Sequence, residues 1–145
     1  MPARIEHIVI AGAGQAGGRA AEALRARGFQ GAITMLGEEP HPPYERPQLS
    51  KAILHTPDAP VAYIKQAKDW GEVLNVRLET GAAVTDCDID RRTVATADGR
   101  SFPFDRLLVA TGTEATAPVA RVDDVDLVHR RAGIAGVLEA AGVGC

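Results

Sequence analysis

The stretch Ile5–Gly17, IEHIVIAGAGQAG, decides how the rest of the sequence is read. Ile8, Val9 and Ile10 form a short apolar run suited to a strand covered on both faces. Gly12-Ala13-Gly14-Gln15-Ala16-Gly17 follows with the spacing G-x-G-x-x-G and opens an alanine-rich helical stretch. Each glycine has a mechanical reason. Gly12 allows the tight turn out of the strand, Gly14 removes a side chain that would hold a pyrophosphate off the backbone, and Gly17 lets the helix pack closely. The amides of the first helical turn, through Gln15 and Ala16, then face the phosphates. The helix dipole adds only about 0.3–1 kcal/mol, so geometry supplies more specificity than affinity.

The glycine spacing alone is a weak signal, and a plain strand–helix turn is the competing reading. The surroundings favour the nucleotide. Gly28 stands where a helix exit belongs, Ala32–Leu36 reads as a second strand, and Glu38-Glu39 follow it. Glu38 lies 21 positions after Gly17, near the spacing of an acid that accepts from a ribose hydroxyl. An acid there disfavours a 2′-phosphate, which points to an adenosine diphosphate without one.

Outward from this unit, the prolines at 40, 42, 43 and 47 exclude regular helix or inner strand over most of 37–51. Arg46 and Lys51 in this span are either cationic donors to a pyrophosphate or ring, or solvated surface charges. A short helix is predicted from about Gln48 through Leu54, and another towards the end of Val61–Asn75, with Ile64, Trp70, Val73 and Leu74 apolar. Trp70 reads as a packing anchor before a stacking residue. Val76–Glu79 reads as a third strand. Three β segments follow: Ala83–Ile89, with Val84, Cys87 and Ile89 apolar, then Thr93–Thr96 and Ser101–Phe104. Asp98-Gly99 marks a hairpin, and Pro103 restricts the last segment to an edge. Arg106–Gly112 is the second strongly apolar strand, and its small Ala110-Thr111-Gly112 end suits close approach of backbone to a ligand. Beyond Thr113 the pattern weakens, returns to helical spacing over Ala132–Ala141, and exits through Gly142-Val143-Gly144.

The 145 residues suit one α/β domain, and a net charge of −3 spread along the chain gives no basic surface for nucleic acid or membrane. Cys87 and Cys145 form no C-x-x-C pair and have no histidine at metal spacing, which fits a reducing, cytoplasmic setting without a zinc site. No signal peptide or membrane-length apolar run is seen in the sequence. With aromatics at 4%, the core must be built of Val, Leu, Ile and Ala.

VIAGAGQAG, PYERPQLSKAIL, DGRSFPFD and LLVATG occur in the order and spacing of one family. Over roughly residues 4–112 the sequence resembles the FAD-dependent ferredoxin and rubredoxin reductases, flavoproteins related to the pyridine nucleotide-disulphide oxidoreductases. YERPQLSK is the most discriminating segment. The resemblance implies a Rossmann-like FAD-binding portion over 1–112, with a parallel sheet and a small antiparallel β-meander. Residues 113–145 would be a connector and helix leading towards an NAD(P)-binding domain that this sequence does not contain.

The same resemblance assigns FAD to the first glycine motif, with Gly12, Gly14, Gln15, Ala16 and Gly17 at the pyrophosphate and Glu38 at the adenosine ribose. It places Arg46 and Lys51 along the flavin, Pro47 beside its ring, Val84 near the adenine, and Ala110, Thr111 and Gly112 beneath the cofactor. Arg130, in VHRRAG, matches a cofactor-touching arginine of the family only partly. The implied function is electron transfer from NAD(P)H through FAD to a ferredoxin or rubredoxin. No side chain is required as nucleophile or general acid, and the chain by itself is expected not to be catalytically competent. The rival reading is a non-catalytic module that holds an adenine dinucleotide, which would have no reason to carry YERPQLSK.

Overall fold

The computed structural model describes residues 4–47, 51, 55–56 and 60–113. The opening run lies in β1 (His7–Ala11), followed by α1 (Gln15–Ala26), β2 (Ala32–Leu36), α2 (Ala67–Glu72) and β3 (Val76–Glu79). Then come β4 (Val84–Asp88), β5 (Thr93–Thr96), β6 (Ser101–Pro103) and β7 (Arg106–Val109). β1, β2, β3 and β7 form a parallel sheet in the order β3-β2-β1-β7, and β4-β5-β6 form a separate antiparallel sheet. This is the Rossmann-like sheet with a β-meander that the resemblance implied. The chain steps outward from β1 through β2 to β3 and then returns to the other side of β1, so the strand order reverses between β1 and β7. In open α/β sheets that reversal opens a crevice at the carboxyl ends of the strands.

Burial on both faces explains the unbroken apolar runs. Ile8, Ile10, Ile33 and Met35 point to the helical side, where they pack with Ala21, Val76 and Trp70. Val9, Ala11 and Leu36 point the other way, against Val84, Cys87, Val94 and Phe102 of the meander. Trp70 is fully buried and is the packing anchor expected of it. Its ring closes on Gly18 of α1, where a Cβ would come within 3.3 Å of the indole and 3.0 Å of Pro43.

Several expectations need correction. Val73 is 70% exposed, because α2 ends at Glu72 and buries only Trp70. Val84 and Cys87 are both buried although three positions apart, which no regular alternation allows; a register shift between Val84 and Asp86 turns both inward. Ile89 is 47% exposed rather than in the core, because β4 ends at Asp88 and Ile89 lies in the turn that follows. β7 ends at Val109, and the only described strand beside it is β1, so Leu108 and Val109 are each 38% exposed. β6 stops at Pro103, on the edge of its sheet, as the missing amide requires. Of the helix predicted over 48–54 only Lys51 is among the described residues, and everything beyond Thr113 lies outside them.

The amino end of the parallel sheet is closed by polar contacts. The Arg25 guanidinium donates to the carbonyls of Leu74 (2.7 Å), Phe29 (2.6 Å), Gly31 (2.9 Å) and Asn75 (2.7 Å). It thereby ties the end of α1 to the turns that feed β2 and β3. Asp105 Oδ2 accepts from the amides of Glu6 (2.8 Å) and His7 (2.9 Å), which fixes β7 beside β1. These two amides hold the Asp105 carboxyl below its ordinary pKa.

Candidate cofactor-binding site

At the carboxyl ends of β1, β2 and β7 lies a cleft of about 350 Å³. One wall is the turn Gly12–Ala16, a second is Leu36–Glu39, a third is Ala82–Val84, and the floor runs along Ala110–Thr113. His41 and Arg46 complete the rim. The cleft occupies the crevice beside the strand reversal.

The three glycines of the opening motif do different work. Gly12 has φ +116°, and a Cβ there would overlap the carbonyl of Ala110. Its amide donates to the Leu36 carbonyl at 2.8 Å, so three strand ends converge on one residue without a side chain. A Cβ on Gly17 would overlap the Gly12 carbonyl and stand 3.2 Å from Ile10. Gly17 therefore sets how closely α1 descends on the turn, and it is not part of the cleft wall. Gly14 differs. A Cβ there would meet only the guanidinium of Arg46, with Nε at 3.7 Å and Nη2 at 3.8 Å, which is ordinary contact. No packing demand keeps residue 14 bare. The space above it is open on the cleft side.

α1 begins at Gln15 with Gly14 as its N-cap residue and has neither a side-chain cap nor an acid in its first turn. The first helical hydrogen bond runs from the Gly18 amide to the Gly14 carbonyl at 2.9 Å. The amides of residues 15–17 thus have no carbonyl four positions back to accept from them. Bare amides, the positive end of a helix and a nearby guanidinium converge on one volume. That donor set suits a diphosphate, so the residues present fit a dinucleotide.

Glu38 is exposed at the end of β2 and lines the cleft, where a ribose hydroxyl would reach it. Val84 is buried in the far wall with Ala82 and Ala83. Ala110, Thr111 and Gly112 pass along the floor, Gly112 with φ +81°. Gly12, Gly14, Gln15, Ala16, Glu38, Arg46, Val84, Ala110, Thr111 and Gly112 are thus brought to one place. Pro47 and Lys51 are not. Both are exposed and lie off the cleft lining. The Lys51 carbonyl accepts from the His55 amide at 3.4 Å. Arg130 lies outside the described residues.

Reading the sequence missed Glu39, His41 and the Ala82-Ala83 pair as lining residues. Glu39 had a signal, as the second acid after β2, with Tyr44 and Arg46 close behind in the chain. Its Oε1 accepts from Arg46 Nη2 and its Oε2 from the Tyr44 hydroxyl, both at 2.8 Å. The alanines had none, because small apolar residues before a strand look like any other junction.

Cys87 is buried beneath the far wall, and burial pushes its thiol pKa up, with Asp86 and Asp88 adding to the shift. Among the described residues no three His, Cys, Asp or Glu side chains gather as metal ligands. No helix among them is long and apolar enough to cross a membrane.

Residues 6–138 match the family described as pyridine nucleotide-disulphide oxidoreductase. The chain belongs to that family. Among pyridine nucleotide-disulphide oxidoreductase relatives, the ferredoxin–NAD(+) reductase component of the p-cumate 2,3-dioxygenase system of Pseudomonas putida is 46% identical over 110 residues, covering 76% of this chain and 27% of the relative. The ferredoxin reductase component of chlorobenzene dioxygenase from Cupriavidus sp. (strain PS12) is 41% identical over 114 residues, covering 75% of this chain and 26% of the relative. A solved covalent complex of putidaredoxin reductase with putidaredoxin superposes with a TM-score of 0.70 at 37% identity, covering 79% of this chain and 28% of that one. The chain therefore spans about a quarter of the length of the curated relatives it matches.

Proposed function

We propose that this chain supplies the FAD-binding portion of an NAD(P)H-dependent ferredoxin or rubredoxin reductase-like oxidoreductase. The observation that carries the reading is Gly14. It is bare without any packing need, stands at the head of an uncapped helix and faces the Arg46 guanidinium across the cleft. Relatives named as ferredoxin and rubredoxin reductases give the electron-transfer setting. When bound, FAD would supply the redox chemistry that links a two-electron hydride donor to a one-electron iron–sulfur acceptor.

The chain's own residues bind and orient. The amides of residues 15 and 16 and Arg46 receive the diphosphate, Glu38 the ribose, and the Ala82–Val84 wall the adenine. Ala110–Gly112 present backbone and small side chains to whatever lies along the floor, so nothing bulky intrudes. Residues 1–112 form the FAD-binding portion and 113–145 a connector towards an NAD(P)-binding domain; the weakening of the sequence pattern beyond Thr113 supports that division. Pro47, Lys51 and Arg130 keep their place in the reading only through family resemblance. A cytoplasmic setting accords with the two cysteines having no C-x-x-C spacing.

The test is a titration of the chain with FAD and, separately, with NAD, alongside Gly14→Val. FAD at about 100 times its dissociation constant should add roughly 2.7 kcal/mol of stability, a readable rise in Tm. G14V should fold with unchanged Tm, because only the flexible Arg46 side chain is in its way, and should lose the FAD response. Stabilisation of the wild-type chain by NAD and not by FAD would favour the dinucleotide-holding module. FAD binding unaffected in G14V would refute the phosphate site.

A further inference from the structure

We propose that Glu39 is a positioning residue that presets Arg46 over the phosphate turn; this rests on the FAD reading above. Both carboxylate oxygens of Glu39 are engaged, one by Arg46 Nη2 and one by the Tyr44 hydroxyl, each at 2.8 Å. The guanidinium also lies over the Tyr44 ring, 5.4 Å from its centre. Glu39, Tyr44 and Arg46 form a closed triangle that leaves the guanidinium facing Gly14.

The triangle is anchored on both sides. The Glu39 carbonyl accepts from the Gly81 amide at 3.1 Å, and the Gly37 carbonyl from the Ala82 amide at 2.7 Å, so Glu39 is tied to the wall holding Ala82–Val84. On the other side, the Ile64 amide donates to the Pro43 carbonyl at 2.9 Å and the Glu45 amide to the Ala62 carbonyl at 3.0 Å, with Tyr44 and Tyr63 bridged. Glu39 therefore joins the adenine-side wall to the cation at the phosphate end. The two neighbouring acids divide the work: Glu38 serves the ligand, Glu39 serves the arginine.

A carboxylate beside an arginine has two opposed effects on an anion arriving there. It offsets part of the positive charge, and it removes rotamer freedom that the arginine would otherwise lose on binding. The Arg46 side chain is 53% exposed and that of Glu39 30%, so solvent screens the first effect. Directional contact with phosphate oxygens survives screening better, and orientation dominates.

A double-mutant cycle on the full chain, read by FAD titration calorimetry, tests this. E39A should weaken FAD binding about five-fold, within the range of coupling between touching residues, and add nothing in an R46A background. E39Q, which keeps an acceptor, should recover most of the loss. Y44F should weaken binding about two-fold, again only while Arg46 is present, and this pair reads the same coupling should E39A not fold. Equal losses with and without Arg46 would overturn the proposal, as would tighter binding by E39A. In both cases the FAD reading would stand. No FAD binding by the folded wild-type chain would overturn both.

Discussion

At the amino end of the parallel sheet, Arg25 donates to four backbone carbonyls and closes the turns before β2 and β3. At the carboxyl end, Arg46 is held by one carboxylate and faces an open cleft. The residue type is the same. The difference is whether donors are matched to acceptors within the chain. A closed end contributes stability; an end with unmatched donors on one face offers binding instead. The glycines repeat the contrast within one motif, since Gly12 and Gly17 are bare because the fold leaves no room, and Gly14 is bare where room remains.

The sharpest way to break the contrast is Gly12→Ala. The added methyl would overlap the Ala110 carbonyl at φ +116°, which should cost about 3–4 kcal/mol by urea unfolding and abolish FAD binding with it. Arg25→Ala comes next. It should lower unfolding stability by about 2–3 kcal/mol and leave the FAD dissociation constant of the folded chain unchanged, because none of its four acceptors lines the cleft. A change in affinity comparable to that of R46A would show that the two ends are not separate.

The smallest effect concerns Asp105. Its folded pKa is depressed by the Glu6 and His7 amides, so its contribution is fully present above the unfolded value, about 3.9, and is lost as pH falls through the folded value. Glu79 acts in the same direction, since the Arg100 guanidinium first, and Arg77 after it, lower its carboxyl against the opposing effect of burial. Asp105→Asn should therefore reduce stability slightly at pH 6 and flatten its decline below about pH 4, measured by thermal melts across pH 3–6. An unchanged slope would mean that the carboxylate contributes nothing to fixing β7.

Much of the fold was legible because it rests on local rules. The limits of β2 and β3, the helix start at Gln15 and the exit at Gly28 follow from side-chain period, small residues and backbone freedom over a few positions. The inward turn of both Val84 and Cys87 was not, because a register shift is a property of two paired strands. The exposure of Ile89 and Val109 was hidden too: apolar character records what a residue tolerates, and where a strand ends or which strand lies beside it decides what covers it.

The candidate site divides similarly. The amino-acid order alone specified a diphosphate-sized turn and an acid about one βαβ step beyond it, since both depend on spacing along a single strand–helix–strand unit. Only the folded chain brought the Ala110 carbonyl against Gly12, set Ala82–Val84 opposite the turn, and paired Glu39 with Arg46 at the cleft rim. Those contacts join segments separated by turns, loops or whole strands. Their geometry comes from sheet order and packing, which no short stretch of sequence contains.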